Sequence, residues 1–116
     1  MPHLLPLDLF HFANALMTVR AADRPALARA LIKQAGEVAE KRRQHNLRFG
    51  RFGAVLPSHW TQDFQSVCLA QKLDTEAANP GAFYVAGIAD RDGLQAYEVA
   101  LSALLEMVRA DEEAVE

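Results

Sequence analysis

The chain has little of several features on which whole classes of function depend. It contains one cysteine, Cys68, so no disulfide can form within it, and nothing in it requires an oxidising compartment. It also lacks a long apolar run. The apolar N-terminus has no charged leading region and is interrupted by Pro2, Pro6 and Asp8, so it is typical of neither a signal peptide nor a membrane span. We therefore expect a cytoplasmic protein that does not enter the membrane.

Motifs for catalysis and for metal binding are absent as well. The four histidines form no HExxH motif and no i,i+4 pair, so a structural zinc site lacks its ligands. No GxSxG, GK[ST] phosphate loop or GxGxxG occurs. Cys68 falls on the apolar face of a predicted helix, which indicates a small core residue. We therefore expect that the protein is not an enzyme and that it binds neither a metal nor a cofactor.

The composition indicates the fold class. The chain is 51% hydrophobic, rich in alanine and poor in β-branched residues, which favours helix over strand. At 116 residues it is most simply one domain, residues 1–116. We predict an all-α protein, a small bundle of four to five helices with a long second helix. Helical proteins of this size often bury their remaining apolar surface by self-association, so we expect a homo-oligomer.

Apolar spacing and capping residues place the helices. The four clearest are predicted at about Asp8–Arg20, Arg24–His45, Ser58–Leu73 and Asp92–Ala110. Residues 82–89, AFYVAGIA, suit either a short helix after Asn79-Pro80 or a short strand, and we predict the helix. Residues 47–57 and 74–81 are predicted loops, and the acidic tail after Ala110 is predicted to fray.

The same spacing predicts which faces are apolar. The core face of the second helix is predicted to contain Leu27, Leu31, Ala35 and Val38. The row at helical spacing on the last helix comprises Leu94, Tyr97, Leu101, Leu104, Leu105 and Val108.

One basic segment stands out against this background. Five of the twelve lysines and arginines fall within eleven positions, and no acidic residue occurs between Glu40 and Asp63. Phe49 and Phe52 are interleaved with the arginines, and each precedes a glycine. Cations neutralise phosphates, while such rings either stack on bases or fold into the core. The candidate nucleic-acid-binding residues are Lys41, Arg42, Arg43, Arg48 and Arg51.

Charge is also divided unevenly between the two halves of the chain. Residues 1–58 hold nine basic and four acidic side chains, whereas residues 59–116 hold three and eleven. This polarity is compatible with nucleic-acid contact, with head-to-tail pairing of chains, or with a fold that neutralises itself.

Several short stretches resemble a family of alphaproteobacterial proteins, the small-terminase-like component of gene transfer agents. Arg24 to Leu27 opens an Arg-Pro-Ala-Leu helix, and an Asp-rich turn leads into the terminal helix, Asp90 to Leu105. The remaining matching features are Asp8, Ala13, Ala15, Leu16, Ala35, Ala39, Lys41-Arg42-Arg43, and the Arg-aromatic-Gly tripeptides at 48–50 and 51–53.

The resemblance implies a helical, oligomeric, non-enzymatic adaptor that presents DNA to a large terminase motor. Without a helix-turn-helix, we expect binding to double-stranded DNA to be weak, non-specific and strongly dependent on salt. The alternative is a regulatory or protein-interaction module whose basic loop docks on an acidic protein partner.

Overall fold

The described part of the chain consists of four α-helices and one short 3₁₀ turn. The computed structural model describes residue 4 and residues 6–48, 57–78 and 90–115. The predicted all-α fold with a long second helix is confirmed, although α4 is as long as α2. The predicted short helix at 82–89 lies outside the described residues. In chain order the elements are α1 (Pro6–Leu16), the 3₁₀ turn (Ala21–Asp23), α2 (Arg24–Arg48), α3 (Pro57–Ala78) and α4 (Arg91–Val115).

Helix ends differ from the sequence prediction more than the helices themselves do. Helix α1 ends at Leu16 rather than Arg20, where the Thr18 Oγ1 hydroxyl donates to the Ala15 carbonyl at 2.6 Å. Such local side-chain bonds compete with continuation of a helix. Helix α3 continues past Leu73, so the first residues of the predicted loop at 74–81 are helical. The acidic tail that was predicted to fray is helical to Val115.

The helices are arranged so that α1 and α2 separate the other two. Each of α1 and α2 packs against both α3 and α4, whereas no described Cα atom of α3 lies within 8 Å of one in α4. Helices α3 and α4 therefore lie on opposite sides of the α1/α2 pair. Their outer faces meet no other described helix.

A small aromatic centre surrounded by alanines forms the core. The rings of Phe12 and Phe64 meet edge to face with centroids 4.9 Å apart, and Leu16 and Leu31 are fully buried beside them. Cys68 is buried with them, as predicted. Small side chains let helix backbones approach closely, so the helices can close this core around few large side chains. The buried alanines are Ala13, Ala15, Ala28, Ala35, Ala96, Ala100 and Ala103.

The predicted apolar row of α4 faces the core only in part, through Leu104 and, at its edge, Tyr97. Leu104 is buried, but Leu94, Leu101 and Leu105 are 48%, 50% and 46% exposed. The buried face is instead made by alanines at positions 96, 100 and 103, which repeat with the same helical period. Spacing alone cannot choose between two rows with one period, and here the smaller residues are buried.

Candidate nucleic-acid interface at the end of helix α2

The last turns of α2 carry three of the predicted cations close together. Helix α2 runs unbroken to Arg48, three residues past the predicted end at His45, so the basic residues continue a rigid helix rather than opening a loop. Lys41 is exposed and forms no ion pair with any described residue. It is therefore available to an external anion.

Arg42 is held by a buried carboxylate from another helix. Its Nη2 donates to Oδ1 of Asp63 on α3 at 2.5 Å, and the Asp63 side chain is only 4% exposed. The second carboxylate oxygen, Oδ2, is buried and accepts no hydrogen bond from a described residue. A buried carboxylate that loses its only cation is left with an uncompensated charge, which costs about 3–5 kcal/mol. Arg42 therefore has a structural role, since it neutralises the buried carboxylate of Asp63.

Arg43 is paired more weakly. Its Nη2 and Nε donate to the two carboxylate oxygens of Glu40 at 2.7 and 3.1 Å, within one turn of α2. Hydrogen bonding from Arg43 lowers the pKa of Glu40, and the same contact raises the pKa of Arg43. Both side chains are half exposed, so the pair is solvated. Exposed pairs of this kind contribute little, and Arg43 can exchange Glu40 for another anion.

The remaining two candidates are described only in part or not at all. Arg48 is the last residue of α2, and its side chain lies outside the described residues. Positions 41 and 48 are two helical turns apart and therefore lie on one side of α2. Arg51 lies outside the described residues.

The acid-free run in the sequence does not leave every one of these cations without a carboxylate partner. Glu40 and Asp63, which bound the acid-free stretch in sequence, are the residues that pair with Arg43 and Arg42. Asp63 is distant in sequence and reaches Arg42 only because α2 and α3 pack together. Nucleic-acid binding by Lys41, Arg42, Arg43, Arg48 and Arg51 stays a prediction.

Sequence reasoning missed a second polar centre, built around Arg24 at the start of α2. The side chain is 3% exposed, and its guanidinium makes two hydrogen bonds to the Asp92 carboxylate at 2.8 and 3.1 Å. It also donates to Gln95 Oε1 and, through Nε, to the Leu16 carbonyl at 3.0 Å. These contacts tie the end of α1 and the starts of α2 and α4 together.

Buried polar residues on α1 and α3 were missed in the same way. Asp8, which was predicted to open or cap the first helix, is fully buried within α1 and accepts a hydrogen bond from Gln65 Nε2 at 2.8 Å. A signal was present in the sequence: Arg24 is in helical phase with Leu31, and Asp63 stands four residues before Val67, on the same side of α3. A charged residue at a position where the period expects an apolar one indicates a buried ion pair.

Other chemistry in the described residues is limited. No three or more His, Cys, Asp or Glu side chains in residues 6–48, 57–78 and 90–115 lie together as a metal site would require. Burial, aided by the charge of Asp8, raises the pKa of the Cys68 thiol to about 12. An open groove of about 220 Å³ lies between α2 and α4, and its lining includes Ala28, Val99 and Ala103.

The chain was also compared with known proteins. No family model, curated protein or solved structure matches it. None of the helices in the described ranges is both long and apolar enough to cross a membrane.

Proposed function

We propose that this protein is a non-enzymatic DNA-packaging adaptor of the small-terminase kind, which binds duplex DNA through the C-terminal end of α2. Exposed, unpaired Lys41 at the end of a 25-residue helix carries the proposal, since a rigid helix end holds cations at fixed spacing along a phosphate backbone. Recruitment of a large terminase motor and assembly into a homo-oligomer rest on the family resemblance and are part of the same proposal.

The ion pairs determine which of the cations are available to bind phosphate. Lys41 is unpaired, and Arg43 exchanges an exposed Glu40 at little cost. Arg42 would have to leave a buried carboxylate, at a cost larger than one phosphate contact returns. We therefore assign phosphate contacts to Lys41, Arg43, Arg48 and Arg51, and a structural role to Arg42.

A second candidate, a protein-interaction module, is favoured by a different observation. The outer faces of α3 and α4 expose large apolar side chains, including Leu69, Leu73, Leu94, Leu101 and Leu105. Exposed apolar residues grouped on one face are typical of protein contacts. In this case the basic end of α2 docks on an acidic protein surface.

Fluorescence anisotropy with a labelled duplex of arbitrary sequence separates the two candidates. The test variant replaces Lys41, Arg43 and Arg48 by alanine. Its charge-matched control replaces Arg20, Arg29 and Lys33, three exposed cations outside the segment. DNA binding requires wild type and control to bind at about 50 mM salt, and the test variant to bind at least tenfold more weakly.

Two results contradict the proposal in different ways. If wild type does not bind the duplex even at low salt, the DNA role fails and the protein-interaction module is favoured. If both variants lose the same affinity, binding follows net charge alone, and the end of α2 is not the site.

A further inference from the structure

The outer face of α4 carries a row of leucines that remains about half exposed. Leu94, Leu101 and Leu105, hereafter the leucine row, lie within about 40° of one another around the helix axis at about 100° per residue. Their exposures are 48%, 50% and 46%. The row faces away from the buried alanines, and no described part of α3 reaches α4.

Charged residues flank the leucine row on one side. Glu98 and Arg109 lie within about 20° of each other around the axis, and Arg91 shares the angle of Arg109. None of these three, nor Glu112, forms an ion pair with a described residue. Helix α4 therefore presents an apolar row edged by unpaired charges of both signs.

We propose that α4 pairs with α4 of a second copy of this chain as an antiparallel, two-fold symmetric dimer. The register places Leu101 against Leu105 of the second copy, and the symmetry repeats this contact. In an antiparallel pair the same side of each helix meets. Glu98 then lies within about one residue rise, 1.5 Å along the axis, of Arg109 from the second copy.

The symmetric contact forms this ion pair twice. Arg91 comes within about three residue rises of Glu112 from the second copy, which its long side chain can span. The three flanking charges, Glu98, Arg109 and Arg91, thus each lie near an opposite charge of the second copy, and Glu112 provides its charge from the angle of Leu94 within the row. This complementarity identifies a second copy as the occupant of the row.

A parallel pair lacks this match. It would set each residue opposite its own copy and bring opposite sides of the two helices together, so Glu98 would meet Tyr97 and Arg109 would meet Val108. The leucines would still pack, but neither ion pair would form. Charge therefore selects the antiparallel arrangement, as it does in coiled coils.

The dimer rests on the proposed function in one respect only, namely that this function includes assembly into a homo-oligomer. It uses none of the cations assigned to DNA, so a failed dimer leaves the DNA titration unaffected, and the reverse also holds.

Charge reversal tests the register directly by sedimentation velocity over a range of protein concentrations. In the Glu98→Arg dimer, the new arginine of each copy would meet Arg109 of the other, and in the Arg109→Glu dimer two glutamates would meet in the same way. Because the symmetry repeats each repulsion, either variant alone is expected to dimerise at least tenfold more weakly than wild type. Mixing the two variants matches both pairs again and should restore dimers to near the wild-type level. The double variant should also dimerise.

Folding is monitored in parallel, because the dimer must be lost without unfolding. Each variant should keep the wild-type helical circular dichroism. Leu101→Glu should give a folded monomer.

Three results overturn the proposal. The first is a wild-type chain that stays monomeric up to the highest soluble concentration. The second is a mixture of the two charge variants that dimerises no better than either alone. The third is a strong loss of thermal stability on Leu101→Glu in a monomeric protein, which would mean that the chain's own residues cover the row.

Discussion

Replacement of Arg24 by alanine should destabilise the protein far more than removal of an exposed charge from α2. Its side chain is 3% exposed, and its guanidinium bonds partners outside α2 that include the Leu16 carbonyl, the Asp92 carboxylate and Gln95 Oε1. The substitution breaks the connection between the end of α1 and the starts of α2 and α4. All of these contacts lie far from the proposed DNA site.

The loss of stability on Arg24→Ala depends on how far the partners that Arg24 leaves behind are buried. Breaking a buried pair costs about 3–5 kcal/mol when the remaining charge stays buried. Here Asp92 is 54% exposed and can be rehydrated, which lowers the cost, while the Leu16 and Gln95 acceptors lose a charged donor. We expect a loss of about 2–4 kcal/mol in the free energy of unfolding, or about 8–16 °C in Tm for a domain of this size.

Urea and thermal unfolding followed by circular dichroism measure this loss. Arg20→Ala is the matched control, because Arg20 pairs with Asp23 at 3.5 Å with both side chains exposed, and it should cost less than about 0.5 kcal/mol. Arg24→Lys keeps the charge but cannot form the two-pronged contact, so it should recover little. Equal stability of Arg24→Ala and Arg20→Ala would refute the reasoning.

Three further predictions concern ionisable groups. The hydrogen bond from Arg24 lowers the pKa of Asp92, so its stabilisation is full above the unfolded carboxyl pKa of about 4 and is lost as the pH falls. The stability difference between wild type and Asp92→Asn should therefore vanish at low pH, and a difference that persists at pH 2 contradicts it. With its pKa near 12, the Cys68 thiol should react with a disulfide reagent at pH 8 only on unfolding in urea, whereas rapid reaction of the native protein would contradict its burial. Arg42→Ala should cost about 3–5 kcal/mol, because it leaves the Asp63 carboxylate buried without its cation. Adding Asp63→Asn should recover part of this loss by removing the buried charge, and purely additive losses would show that the pair is not coupled.

The sequence was sufficient for the helices but not for their ends. The period of Phe12 and Leu16, and that of Leu27 and Leu31, is a local property, so each helix could be predicted from its own residues. The end of α1 at Leu16 involves an acceptor for Arg24 on the next helix, which is a tertiary contact. Local spacing carries no information about such a partner.

The apolar row on α4 predicted the core face only in part, for a related reason. Leucines and alanines form two rows of equal period on this helix, and hydrophobicity favours the leucines. The close approach of α1 and α2 instead selects the small residues, Ala96, Ala100 and Ala103. That selection depends on the distance between helices, which periodicity does not contain.

The candidate site, too, could be predicted from the sequence only in part. Counting charges along the chain located the basic segment, and its Lys41 is exposed in the structure. It could not reveal that Asp63, on another helix, binds Arg42, because that pair exists only once α2 and α3 are packed. The division between available and structural cations is therefore a product of the fold.

The salt dependence of DNA affinity tests the central claim most directly. Each phosphate contact contributes about 0.9 to the slope of log affinity against log salt, so contacts from Lys41, Arg43, Arg48 and Arg51 predict a slope of about −3.6. Arg43→Ala should reduce its magnitude by about 0.9, and Arg42→Ala should leave it unchanged. No measurable binding at low salt, or a slope that Arg42→Ala changes and Arg43→Ala does not, would contradict the account.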